Sequence, residues 1–195
     1  AENDPNKMTQ SIAIIDYGCG NLASVQKAIT ALGFTAEMIS NPSVLDKYGR
    51  AILPGVGNFN AAMNDMTQTG LADSIKEFCQ SGKPLLGICL GMQLLASSGT
   101  EGGTDDPVPG LDLVPGDVVS LRSMGVTLSV PHVGWNELKQ KQTSELFDGV
   151  PDGTDVYFVH SYGFCPDKSD YLMATTEHEV EVSAIVKKDN VTGCQ

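Results

Sequence analysis

The chain has 195 residues, 41% of them hydrophobic and 18% charged, which fits one domain with a real core and excludes a disordered chain. Its net charge of -12 argues against nucleic acid or an anionic membrane as partner, and no apolar run approaches the length of a membrane span.

Residues 1–10 are polar and lack the apolar centre of a signal peptide; they are expected to be a disordered lead-in or tag before a single domain over 11–195. Residues 11–16, Ser-Ile-Ala-Ile-Ile-Asp, form a short apolar run expected of a strand covered on both faces. Leu22, Val25, Ala28, Ile29 and Leu32 recur at helical spacing, and Gly33 stops that helix. Residues 35–39 and 50–53 read as the second and third strands, the latter ended by Pro54-Gly55. A helix is expected over 71–80, and a strand over 84–88. This alternation implies an α/β fold, a flavodoxin-like open and mostly parallel sheet flanked by helices. Glycine and proline are dense from Gly99 to Gly116. Five further strands, at 117–121, 127–130, 155–159, 171–176 and 183–187, then read as antiparallel additions. No repeat, coiled-coil heptad or linker is visible.

The stretch Lys83 to Leu95 carries the strongest chemical signal. An apolar strand runs into Gly87-Ile88-Cys89-Leu90-Gly91 and then into the start of a helix. Glycines two residues to either side of Cys89 give the spacing of a nucleophile elbow, in which small residues let the chain turn sharply and expose one side chain. The sulfur would lie over the first free N–H groups of the helix, which favour its thiolate. Cys89 is therefore the expected nucleophile. The other cysteines are Cys19, Cys79, Cys165 and Cys194. The odd total and the lack of metal-pair spacing fit reduced thiols in a cytoplasm.

Other candidates are weaker singly. Gly18, Gly20 and Ala23 match a loose dinucleotide fingerprint, but the second strand ends in Ile39-Ser40-Asn41 without the acidic residue that reading needs. Pro54-Gly55-Val56-Gly57 could be an ordinary loop or could present backbone N–H groups to an oxyanion. His132, His160 and His178 are isolated in the sequence, which argues against a metal site. His160 ends an apolar strand, where a site residue is plausible; His178, among Glu177, Glu179 and Glu181, reads as a solvated edge or turn. Trp135 stands in a Pro-initiated loop, as core or as a contact residue. Asp105-Asp106 reads as a surface turn.

Taken together these pieces resemble a class I, triad-type glutamine amidotransferase, and more narrowly the glutaminase subunits of imidazole glycerol phosphate synthase. The broad mark is residues 87–93, Gly-Ile-Cys-Leu-Gly-Met-Gln. The narrower ones are residues 17–22, 53–57, 131–136 and 157–162, in the family's order. The resemblance implies glutamine hydrolysis without a cofactor: Cys89 attacks the amide, giving a thioester and ammonia. It implies oxyanion donors at Leu90 and at Val56 or Gly57. Gly55, Gln93, His160, Ser161 and Tyr162 would bind glutamine. It also implies a heterodimer with a (β/α)8-barrel cyclase subunit, which takes the ammonia to make imidazole glycerol phosphate and aminoimidazole carboxamide ribotide. Asn21 and Trp135 match positions at that interface.

The family continues after a Gly-X-Gln with Phe-His-Pro-Glu, whose His and Glu complete the triad. Here Gly193-Cys194-Gln195 matches and the given sequence stops. A chain truncated there would be nearly inert, because Cys89 would lack a base and only a few per cent of it would be thiolate at about pH 7. Three alternatives follow: a glutaminase of another synthase, a non-catalytic partner subunit, and a nucleotide-binding module.

Overall fold

The computed structural model describes residues 11–102 and 106–195; the expected lead-in over 1–10, and Asp105 of the expected surface turn, lie outside the described residues. The first half alternates as the sequence predicts. Strand β1 (Ile12–Ile15) leads to helix α1 (Leu22–Ala31), then β2 (Ala36–Ile39), β3 (Arg50–Gly55), α2 (Phe59–Thr69), α3 (Leu71–Gln80) and β4 (Leu85–Cys89). A single helical turn, α4 (Leu90–Gln93), follows Cys89. Helix α2 was not expected. Its polar run Asn60 to Gln68 hides a buried stripe of Phe59, Ala62, Met63 and Met66, and the Asn58 side chain caps it by accepting from Ala61 N–H.

The second half adds β5 (Ser98–Gly99), β6 (Val108–Pro109), β7 (Gly116–Ser120), β8 (His132–Glu137), β9 (Lys139–Gln140), β10 (Asp155–His160), β11 (Tyr162–Pro166), β12 (Leu172–His178), β13 (Val180–Lys188) and β14 (Val191–Cys194). The main sheet has the order β2-β1-β3-β4-β14-β13-β12-β9. Its first five strands pair in parallel and the last three antiparallel, so the expected mixed α/β sheet is present. The 2-1-3-4 start, completed by β14, is the flavodoxin-type order, whose ligands collect at the carboxyl ends of the strands. Ile14 and Ile52 face Ile29 of α1 on one side of the sheet. Ala13, Ile15 and Leu53 face Phe59, Met63, Ile75 and Phe78 of α2 and α3 on the other.

Three expectations need correction, and one strand was not foreseen. Strand β3 does not end at Leu53 but continues through Pro54 and Gly55, which stand opposite Ile88 and Cys89 of β4. Residues 127–130 are not a strand: the Glu179 carboxylate takes the N–H groups of Thr127 and Leu128, at 2.6 and 2.8 Å, that a ladder would have used. The supposed loop at Trp135 is β8, paired antiparallel with β10, Trp135 opposite Tyr157. Strand β14, which had no sequence signal, lies between β4 and β13.

Candidate active site

Cys89 ends β4 with φ 57° and ψ -116°, a left-handed backbone that a non-glycine residue rarely takes. The flanking glycines make the bend possible by close approach. A Cβ on Gly91 would run into the Leu53 carbonyl, and one on Gly87 would lie 2.6 Å from the Gly91 oxygen. Strand β4, the turn and β3 therefore pack backbone to backbone, and the sulfur is left at the carboxyl edge of the sheet.

It lines a cavity of about 340 Å³, together with Val56, Gly57, Leu90, Gln93, Glu101, Pro131, Val159, His160, Ser161 and Tyr162. Eight of the residues expected in the site thus share one cavity. Gly55 lies just beneath it, opposite Cys89 in the sheet, where a Cβ would strike the Tyr17 hydroxyl. Asn21 and Trp135 are outside: Asn21 is exposed and caps α1 by accepting from Ser24 N–H, and the Trp135 side chain is 73% exposed.

The electrostatics differ from expectation. Burial pushes the Cys89 thiol up, and this outweighs the Leu90 N–H and the Gln195 amide, which lower it; the nearby Glu101 carboxylate raises it further. A helix of one turn supplies too few aligned peptide dipoles to reverse the effect of burial. Gln195 Nε2 donates to Cys89 Sγ at 3.6 Å, while Gln93 Nε2 donates to Gln195 Oε1 at 2.9 Å and to the Tyr162 carbonyl at 3.5 Å. The Gln195 side chain therefore lies between nucleophile and Gln93.

Three features of the site escaped the sequence. Glu101 brings a carboxylate to the cavity wall and accepts from Phe59 N–H, at the start of α2, at 3.0 Å. Burial raises its pKa and the Phe59 N–H opposes that. Its position in a Gly-rich stretch left no periodic signal. Tyr17 is 6% exposed, with a hydroxyl that has no hydrogen-bond partner among the described residues, and burial, Cys19 and Cys89 all hold its phenol protonated. The histidines, isolated in sequence, converge in space. His132 Nδ1 and His160 Nε2 are 3.0 Å apart, and the His132 ring stacks on His178 at 4.2 Å. Among the described residues no group of three or more His, Cys, Asp or Glu side chains has a metal-holding arrangement.

Comparison with known proteins agrees with this geometry. The family model for glutamine amidotransferase class-I matches residues 13–195. The chain is 46% identical over 184 residues to the imidazole glycerol phosphate synthase subunit HisH of Moorella thermoacetica, covering 94% of this chain and 85% of that one. It is 47% identical over 189 residues to the HisH subunit of Geobacillus thermodenitrificans, covering 94% and 86%. Among solved structures, a glutamine amidotransferase superposes with a TM-score of 0.71 at 16% identity, over 93% of this chain and 87% of that chain. PurLQS of Thermotoga maritima gives 0.70 at 18%, over 96% and 87%; likeness at this identity speaks for the fold alone. With a strained cysteine at the carboxyl edge of a doubly wound sheet and a family match spanning nearly the whole sequence, the chain belongs to the class-I glutamine amidotransferases.

Proposed function

We propose that this chain is the glutaminase subunit of an imidazole glycerol phosphate synthase, hydrolysing glutamine and passing the ammonia to a cyclase subunit in histidine biosynthesis. The observation that carries the chemistry is Cys89, held at φ 57° in a cavity with Gln93 and a carboxylate; the HisH relatives carry the pathway. Cys89 Sγ attacks the side-chain amide carbon, and the carbonyl oxygen becomes an oxyanion. The Leu90 N–H, already directed at the sulfur, and an N–H of Val56 or Gly57 stabilise it. Losing one such donor costs about 3–4 kcal/mol in the barrier. The C–N bond then breaks as the nitrogen is protonated, ammonia leaves, and water cleaves the thioester to glutamate. Glu101 is suited to the ammonium of the substrate, and Gln93 with residues 160–162 to its remaining polar groups.

The general base is a separate matter. Both ring nitrogens of His132 and of His160 are engaged, and His178 Nε2 donates to the Ser129 carbonyl at 3.1 Å; none has Cys89 as a partner. On this reading a polypeptide confined to residues 1–195 is nearly inert towards glutamine. Full activity needs the His and Glu that the family carries after its Gly-X-Gln. The partner is a (β/α)8-barrel cyclase, and the five unpaired cysteines fit the reducing cytoplasm.

Ammonia release from glutamine by the full-length chain with its cyclase tests the reading. Cys89→Ala is expected to lower kcat by at least about a thousandfold. Retention of wild-type turnover would overturn it.

A further inference from the structure

We infer that His132 is a positioning residue, which fixes the Ser161–Tyr162 wall of the Cys89 cavity through a one-way chain of hydrogen bonds ending at the Tyr162 carbonyl. The inference rests on the reading of that cavity as the glutamine site. His132 does not line the cavity and is 4% exposed, so its effect must pass through His160.

The direction of the chain follows from its two ends. A carbonyl only accepts, so the 2.8 Å contact of His160 Nδ1 with Tyr162 O puts the proton on Nδ1. A neutral ring then offers Nε2 as acceptor, and His132 Nδ1 donates to it across 3.0 Å. That leaves His132 Nε2 as acceptor for Asn136 Nδ2 at 3.3 Å. The Asn136 amide is oriented independently: its oxygen accepts from Glu137 N–H at 2.9 Å, and its nitrogen also donates to the Glu177 carbonyl at 2.7 Å. Every link has one donor and one acceptor only if both imidazoles are neutral Nδ1–H tautomers. The Tyr162 carbonyl is also the acceptor for Gln93 Nε2, so a shift at His160 reaches the residue that faces substrate.

The surroundings keep the rings neutral. His132 stacks on Phe158 of β10, at 5.1 Å, and on His178 at the end of β12. Burial, His160 and His178 together push its pKa down to about 4. His160 is also lowered, by burial foremost and by His178, against the Tyr162 carbonyl. Protonating either ring would set donor against donor and break the chain.

Two measurements on the full-length chain test this. In the ¹⁵N-histidine-labelled protein, long-range ¹H–¹⁵N spectra should show His132 and His160 as Nδ1–H tautomers, neutral at pH 6.5. An Nε2–H tautomer at either ring overturns the inference, whatever the activity. In steady-state glutaminase assays with the cyclase, His132→Phe keeps a stacking ring but loses the donor. It should raise KM for glutamine about tenfold, roughly one hydrogen bond, with a smaller change in kcat. The rise in wild-type KM towards acid pH should flatten in the variant, and His132→Asn, which restores a donor, should recover most of the loss. Wild-type KM and pH profile in His132→Phe would sink the proposal. A wild-type complex that releases no ammonia would sink the glutamine reading instead, and the tautomers would still decide the chain of bonds.

Discussion

At the scale of single residues, the site depends on strain and close approach. Cys89 keeps its left-handed backbone because Gly91 lets the turn lie against the Leu53 carbonyl. Gly91→Ala is therefore expected to destabilise by about 1–3 kcal/mol, read as a lower Tm at roughly 2–4 °C per kcal/mol for a chain of this length, and to lower Cys89 reactivity as well. Because burial raises the Cys89 pKa, its alkylation by iodoacetamide near neutral pH, in a polypeptide confined to residues 1–195, should be slower than that of a free thiol. The rate should climb with pH through and beyond the ordinary thiol range; a fast, pH-independent rate would contradict this. For His132 the sign runs the other way. Its folded pKa of about 4 lies below the usual 6.5, so on acidification the unfolded chain takes up the proton first. Its contribution to stability is present above pH 6.5 and is lost as pH falls towards about 4. Thermal unfolding across that range should fall less steeply for His132→Phe than for the wild type.

At the scale of elements, the two-stranded ribbon of β8 and β10 has two faces with opposite tasks. His132, Asn136, Phe158 and His160 point inward, whereas Val133, Trp135, Tyr157 and Val159 are more than half exposed. Trp135 and Tyr157 meet edge to face at 5.6 Å. An exposed aromatic pair of this kind is suited to a partner surface. If the cyclase docks there, Trp135→Ala should weaken the complex by about 2 kcal/mol, roughly thirtyfold in Kd by titration, with the fold unchanged. The ribbon also explains why β8 reads as a loop. His-Val-Gly-Trp-Asn-Glu does alternate, but His132 and Asn136 face inward while Val133 and Trp135 face outward, the reverse of an ordinary half-buried strand.

At the scale of the whole molecule, the last described strand joins the two halves. Strand β14 pairs in parallel with β4 and antiparallel with β13, so the parallel sheet is completed only by residues 191–194. Asn190 fastens its entry, donating from Nδ2 to the Cys79 and Lys83 carbonyls at 2.9 and 2.6 Å. Asn190→Ala should cost about 1–3 kcal/mol, because two partly buried carbonyls lose their donor. Calorimetry should register this as a single, still cooperative transition at lower temperature. A split into two transitions would mean that the halves are less coupled than the sheet order implies.

By itself the sequence determined the parallel half and its nucleophile. Apolar runs at 11–16, 50–53 and 84–88 and the helical spacing after Leu22 are local patterns, and the elbow around Cys89 needs only residues close in the chain. What only the tertiary structure decided depends on contacts across long separations. Val191 to Cys194 is a strand because β4 and β13 flank it, and residues 127–130 are not one because Glu179 takes their N–H groups. Glu101 reaches the cavity by bonding to the start of α2. Three histidines far apart in sequence become one cluster because β8, β10 and β12 bring them together. Burial, too, is decided by the fold rather than by the chain, and it sets the sign of the Cys89 shift against the helix-end expectation.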